Sequence, residues 1–278
     1  SDLGGNCITD DCDTDTDGDG IADCADPCPN WPYDCSEDGQ TITVAVGQSI
    51  QDAINAVPSG GTVAIAAGTF PLTGPLNPGG RAMTIRGPTD ADGNPTAILD
   101  GQGSTRVLIC QSGETAETVF ENLVIQNGFT NGADGGGMYN DNCSPTLTNC
   151  TLTGNVGGGM YNHYSIPTLT NCTFEGNSAV DGGGMYNDNS SPILTDCTFD
   201  GNSANSGGGM YNFALCNPTL AGCTFTENSA SIAGGGMYNN FSSPILTDCT
   251  FTGNSGGNGG GGMLNYDNSS PMLEDCMF

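Results

Sequence analysis

Lysine is absent from the 278 residues, and Arg81, Arg86 and Arg106 are the only strong cations. Three positive charges cannot make the basic footprint that nucleic acid or anionic lipid requires, so neither is expected as a partner. The run of about 18 apolar residues needed by a spanning helix is also missing, and no transmembrane segment is expected. No basic, apolar leader precedes the opening "SDLGGNC". Together with the cysteine usage, this reads as a mature chain from which an export signal has been removed. Tryptophan and histidine occur once each, as Trp31 and His163. With no nucleophile pattern beside it, His163 reads as a surface histidine.

What is abundant is acid, glycine and cysteine. Thirty-one Asp and Glu give a formal net charge of −28, which makes cations the natural partners. The preponderance of Asp suits either calcium ligation or a solvated acidic surface. Forty-five glycines and fifteen prolines are too many for a helical protein, and without a G-X-Y period collagen is excluded. A hydrophobic content of 36% still suffices for a core, which leaves many short strands joined by turns. Fourteen cysteines point away from a reducing cytosol, to an extracellular or cell-surface location.

The phrase "GGGMYN" recurs with its methionine at 138, 160, 185, 210, 237 and 263, at spacings of 22, 25, 25, 27 and 26 residues. Cys150, Cys172, Cys197, Cys223, Cys249 and Cys276 keep the same pace, as do Asn155, Asn177, Asn202, Asn228 and Asn254. A period of this length signals a repeat array. Helical repeats fail because the unit has no 3.6-residue stripe and is broken by Gly and Pro. Propeller blades need more residues, and the leucine frame of leucine-rich repeats is missing. A coil of two or three short strands stacked in parallel on the next fits, with Met185, Cys197 and Phe199 facing inward and Tyr186 outward. The fold class is therefore all-β, a β-solenoid. Glycine is expected at corners, and asparagine after Gly or Tyr is expected there too, using its tolerance of left-handed backbone and bonding the Asn one rung away. A column of buried thiols is expected along the bore. Cys110 and Cys143, which fall near matching positions on successive coils, are expected to be bridged.

Ahead of the repeats, Ile50, Ala53, Ile54 and Val57 form a helical stripe after Ser49 as N-cap, ended by Pro58. This helix is expected to cap the first coil. The strands "AMTIRG", "TAILDG", "RVLIC" and "VFENLVIQN" follow. Residues 42 to 278, about 85% of the chain, resemble a right-handed parallel β-helix of the pectate-lyase-like superfamily, with units that resemble polymorphic outer membrane protein repeats. The resemblance implies the fold. It leaves activity open, because that superfamily holds lyases, hydrolases, esterases, adhesins and passenger domains.

In "DTDGDGIADCADPCP" a twelve-residue calcium loop can be framed from Asp15, with Asp17, Asp19, the Ile21 carbonyl, Asp23 and Asp26 as further ligands and Gly20 at the sharp turn. Asp26 stands where an EF-hand has Glu, and the stretch resembles a thrombospondin type 3 calcium repeat. Cysteines 7, 12, 24, 28 and 35 crowd the same region, so calcium and disulfides must do the folding there. The expected division is an acidic, Cys-rich calcium-binding segment at 1–40, the cap and irregular coils at 41–134, and regular repeats of about 25 residues at 135–278.

Catalytic groups are sparse. The resemblance to calcium-dependent lyases would use an Arg base beside acids, and Arg106 with Asp100 is the best such pair. Asp196, Asp248 and Asp275 recur before the cysteine, but Asn149, Asn171 and Gly222 hold that place in other coils, so the row reads as corner filling. Tyr139, Tyr161, Tyr186, Tyr211 and Tyr238 form a row able to meet sugars or to serve packing alone. Asn149, Asn171, Asn189, Asn240 and Asn268 carry glycosylation sequons. The expected function is a secreted or cell-surface structural or adhesive solenoid, whose open last coil either continues in further chain or docks head-to-tail on the next copy to make a filament. Its expected partners are other copies, surface or matrix components and polysaccharide. A polysaccharide lyase or hydrolase, and a glycan-binding module, are the alternatives.

Overall fold

The computed structural model describes residues 34–36, 39–132 and 134–278. The calcium-loop residues Asp15, Asp17, Asp19, Ile21, Asp23 and Asp26 lie outside this set. So do Cys7, Cys12, Cys24 and Cys28.

Each coil is laid down by the alternation of its sequence. In one repeat the strands are Met185–Asp188, Ile193–Thr195 and Thr198–Asp200. In each, buried and outward positions alternate, with Met185, Asn187, Leu194 and Phe199 inward, the period of two that a strand with one buried face requires. Stacked coils generate three long parallel sheets of eleven, eight and seven strands, and a fourth of three. We name the long sheets by their inward columns. The Leu sheet carries Ile42, Val63, Ile85, Phe120, Leu147, Leu169, Leu194, Leu220, Leu246 and Leu273 in one register. The Met sheet aligns all six repeat methionines, and the Phe sheet aligns Phe174, Phe199, Phe225 and Phe251. At the edge of the Leu sheet, Asp34–Cys35 pairs antiparallel with Thr41–Val44.

Identical residues on neighbouring rungs meet as ladders. The phenylalanine rings lie 4.6–4.7 Å apart and within 3° of parallel. Buried Asn140, Asn162, Asn187, Asn212 and Asn239 each pass an amide hydrogen bond of 2.8 Å to the next rung. Asn155, Asn177, Asn202 and Asn228 do the same and also bond a backbone carbonyl. These asparagines differ from the expectation of left-handed corner residues. Those after Tyr are inward-facing strand residues, and in the "GN" pair it is Gly154, Gly176, Gly201 and Gly253 that take positive φ. Left-handed backbone falls instead on the residue before each cysteine: Asn149, Asn171, Asp196, Gly222, Asp248 and Asp275, with φ between 50° and 63°. Corner filling is thus the structural role of that row.

The expected helix forms as Ile50–Ala56, with the Ser49 side chain accepting from the Asp52 N–H and with Ile50, Ala53 and Ile54 buried. The thiol column is buried from Cys150 to Cys249, with Cys276 partly exposed. Thiol-to-thiol hydrogen bonds along the column, with burial, push Cys197 and Cys223 up to about 12.

The expected Cys110–Cys143 bridge is corrected: both thiols are free. Register explains why. Cys110 pairs with Asn140, three residues short of Cys143, and the Cys143 N–H instead meets Ser165 on the next coil. The Cys143 thiol donates to Glu114 at 2.9 Å.

Candidate functional site

The chain's only histidine and two acids whose pKa is raised, Asp134 and Asp181, converge on the outer face of the Met sheet. Alternation within the strands Met138–Asp141, Met160–His163 and Met185–Asp188 turns Tyr139, Tyr161 and Tyr186 outward together with Asp141, His163 and Asp188. Parallel register stacks them. Tyr139, Tyr161, Tyr186, Tyr211 and Tyr238 follow one another at ring-centroid distances of 5.0–5.4 Å. Most ring surface is therefore spent on neighbouring rings, and what reaches solvent is mainly a line of ring edges and hydroxyls. Burial raises the phenol pKa along the ladder, so these hydroxyls remain protonated donors at neutral pH.

His163 lies on the surface as expected, though not alone. Its Nδ1 lies 2.9 Å from Asp141 and its Nε2 3.9 Å from Asp188, with the ring against Tyr164 at 4.4 Å. Deeper in the strip, burial and the nearby Asp181 carboxylate raise the pKa of Asp134, against the opposing charge of Arg106. Burial likewise raises Asp181, although Ser206 donates to it. The strip is an acidic, hydroxyl-lined surface suited to cations and to hydrogen-bonding ligands. Among the described residues no group of three or more His, Cys, Asp or Glu is placed to hold a metal.

Arg106 and Asp100 are not brought together as a pair. The Arg106 guanidinium donates to the Gly135 carbonyl at 2.7 Å and the Asp134 carbonyl at 2.8 Å, and lies 4.5 Å from the Tyr139 ring centroid. Burial lowers its pKa. Asp100 belongs to the Phe sheet and accepts from the Gln102 N–H, Gln126 and Asn127. Burial works against its anion, but these donors prevail and hold its pKa below the usual value.

Sequence reasoning missed Glu114. Only 2% exposed, it accepts from the Gly80 N–H at 2.8 Å, the Ser112 N–H at 2.9 Å and the Cys143 thiol. Burial opposes its charge, yet the three donors hold its pKa below that of an ordinary glutamate. Burial and the same carboxylate push Cys143 up to about 11. Glu114 has no counterpart in the repeats, so periodicity carried no signal for it.

The sequons are also placed. Asn149 and Asn171 donate their amides along the corner row, and Asn189 bonds Asp188. Asn268 is exposed. No helix among the described residues is long and apolar enough to cross a membrane.

No curated protein matches the chain in sequence. Among solved structures it is similar to ybhC of Escherichia coli, with a TM-score of 0.56 at 12% identity over 84% of each chain. The pectin methylesterase of Aspergillus niger aligns with a TM-score of 0.49 at 13% identity, over 87% of this chain and 88% of that one. The tailspike protein gp49 of Acinetobacter baumannii bacteriophage Fri1, a capsular polysaccharide depolymerase, aligns with 0.49 at 12% identity, over 78% of this chain and 44% of that one. Only the first of these bears on the fold, and at such identity it bears on nothing else. The family described as "Right handed beta helix region" matches residues 107–278, more than half of the chain. With its parallel, in-register coils, the chain belongs to the right-handed β-helix family.

Proposed function

We propose that the chain is a non-enzymatic structural or adhesive solenoid, working outside the cell or on its surface. One observation carries this reading: the side chains able to do chemistry are committed to ladders and internal bonds. Thiols lie in a buried column, amides and phenols bond or stack on their own kind, and the Arg106 guanidinium is taken by two carbonyls. Such ladders stiffen a rod because each rung is held by both neighbours. In this reading the helix Ile50–Ala56 seals the first coil. Calcium bound by Asp15, Asp17, Asp19, Asp23, Asp26 and the Ile21 carbonyl orders the N-terminal segment. Polysaccharide and further copies of the chain are the partners assigned to it.

The test is to offer acidic and neutral glycans with and without calcium. Retention without turnover is expected, and turnover that disappears in Arg106→Ala would overturn the reading in favour of a lyase. For calcium, Asp17→Ala is expected to abolish calcium protection of residues 1–40 from protease while leaving the β signal of the solenoid intact. Equal chelator sensitivity in variant and parent would contradict that part.

A further inference from the structure

We propose that five successive rungs of the Leu sheet's outer face bind ice, through a regular, uncharged array of threonine hydroxyls and methyls. The outward positions of five successive strands, from Thr146–Thr148 to Ile245–Thr247, are Thr146 and Thr148, Thr168 and Thr170, Ile193 and Thr195, Thr219 and Ala221, Ile245 and Thr247. Neighbouring strands stay in continuous register, with no bulge to bend the face. The side chains therefore form a regular grid, spaced about 4.8 Å between rungs and about 6.7 Å along each strand.

Charge is what sets this face apart. The stretches 142–149, 164–171, 189–195, 214–222 and 241–247 hold no charged residue, in a chain with 31 acids. Strand propensity alone does not explain this, because the Phe sheet of the same coils places Glu175 and Asp200 outward beside its threonines. Acids resume at the corner, with Asp196 and Asp248, and on the flanking rungs of the same sheet, where Glu121 pairs with Thr148 and Glu274 with Thr247. Bound counterions and strongly oriented water are thus kept off these five rungs and concentrated around them.

The hydroxyls are available. Thr146 donates to the Ala116 carbonyl, but Thr148, Thr168, Thr170, Thr195, Thr219 and Thr247 form no side-chain hydrogen bond within the described residues. Ile193 and Ile245, 46% and 42% exposed, continue the methyl surface between them. Regularly spaced hydroxyls anchor ordered water, and methyls between them hold that water in cage-like arrangements rather than binding it tightly.

Other occupants fit less well. A second copy would cover roughly 24 Å by 10 Å of this grid, about 240 Å², under a third of the ~800 Å² per partner that a stable dimer needs. A polysaccharide would be expected to meet exposed aromatic platforms, and none of the ten grid positions is aromatic. A neutral lattice of water matches a neutral, periodic, hydroxyl-bearing plane.

The experiment is ice-affinity partition of the full chain, with an inert protein in the same solution as reference. The parent is expected to be enriched in the ice fraction. The double variant Thr170→Tyr/Thr195→Tyr, whose rings would hold the face away from the lattice, should lose at least about tenfold of that enrichment, equivalent to about 1.4 kcal/mol. Thr252→Tyr, exposed on the Phe sheet, should retain it. Far-UV circular dichroism and thermal melting of all three chains establish that they are folded. Exclusion of the parent from ice, or equal behaviour of the double variant and the Thr252 variant, would overturn the proposal. So would retention on microcrystalline cellulose that the double variant alone abolishes, in the absence of ice enrichment, which would assign the face to a neutral polysaccharide.

Discussion

Asn187→Ala and Asn140→Ala remove the same amide from equally buried positions of one sheet, yet their costs should differ severalfold. Asn187 sits mid-ladder, accepting from Asn162 and donating to Asn212, each at 2.8 Å. Deleting its amide strands one donor and one acceptor in a dry interior, at about 1–3 kcal/mol each. Asn140 begins the ladder, and its own Oδ1 is already buried without a partner among the described residues. Deleting that amide strands only the Asn162 oxygen and abolishes an existing unpaired group, so the two effects nearly cancel. The cavity is common to both variants, leaving a difference of about 3 kcal/mol, or about 100-fold in a local opening constant. Because a solenoid opens by rungs rather than all at once, the appropriate assay is amide hydrogen exchange read peptide by peptide. Faster exchange is expected in the strands Met160–His163, Met185–Asp188 and Met210–Phe213 of the Asn187 variant. Equal acceleration in the two variants would refute the view that the ladder's hydrogen bonds, rather than its packing, carry the energy.

Three further outcomes follow from particular sites. Among the cysteines of the column, a thiol reagent at mild pH should label Cys276 first and leave Cys150, Cys172, Cys197, Cys223 and Cys249 unreacted until denaturant is added, as read by mass spectrometry. Gly222, at φ +63°, should tolerate Asn, which occupies the equivalent corner at position 171, whereas Gly222→Val should lower stability by about 1–2 kcal/mol in a thermal melt. Glu114 has a pKa below the ordinary glutamate value in the folded state, so its contribution is fully present above about pH 4.3 and is lost as pH falls through the lower folded value. Glu114→Gln should therefore be less stable than the parent at neutral pH, with the gap closing in melts taken at progressively lower pH.

The coil was legible because its information is periodic. Met185, Phe199 and Cys197 recur at a constant spacing, and a strand's alternation of faces tells which of their neighbours point out. The helix at 50–56 was legible for a similar reason: its cap, stripe and terminating proline are all local. Where a residue's role depends on its neighbour in the next coil, local reading failed. Asparagine's tolerance of left-handed backbone suggested corners for the asparagine after Tyr. Register instead puts Asn162 between Asn140 and Asn187, where the bonds it makes outweigh its turn propensity.

From the chain alone came the class of fold, the inward and outward faces of each strand, and the rung length, since these follow from patterns within some 25 residues. Outside the repeating positions, tertiary structure alone decided which side chains meet across rungs. It separated Cys110 from Cys143 by three positions, joined Glu114 to the latter, took Arg106 away from Asp100, and gathered scattered threonines onto five uncharged rungs of one face. The physical reason is that loops of unequal length join the coils, and the register they set is fixed only when the whole stack closes on its core.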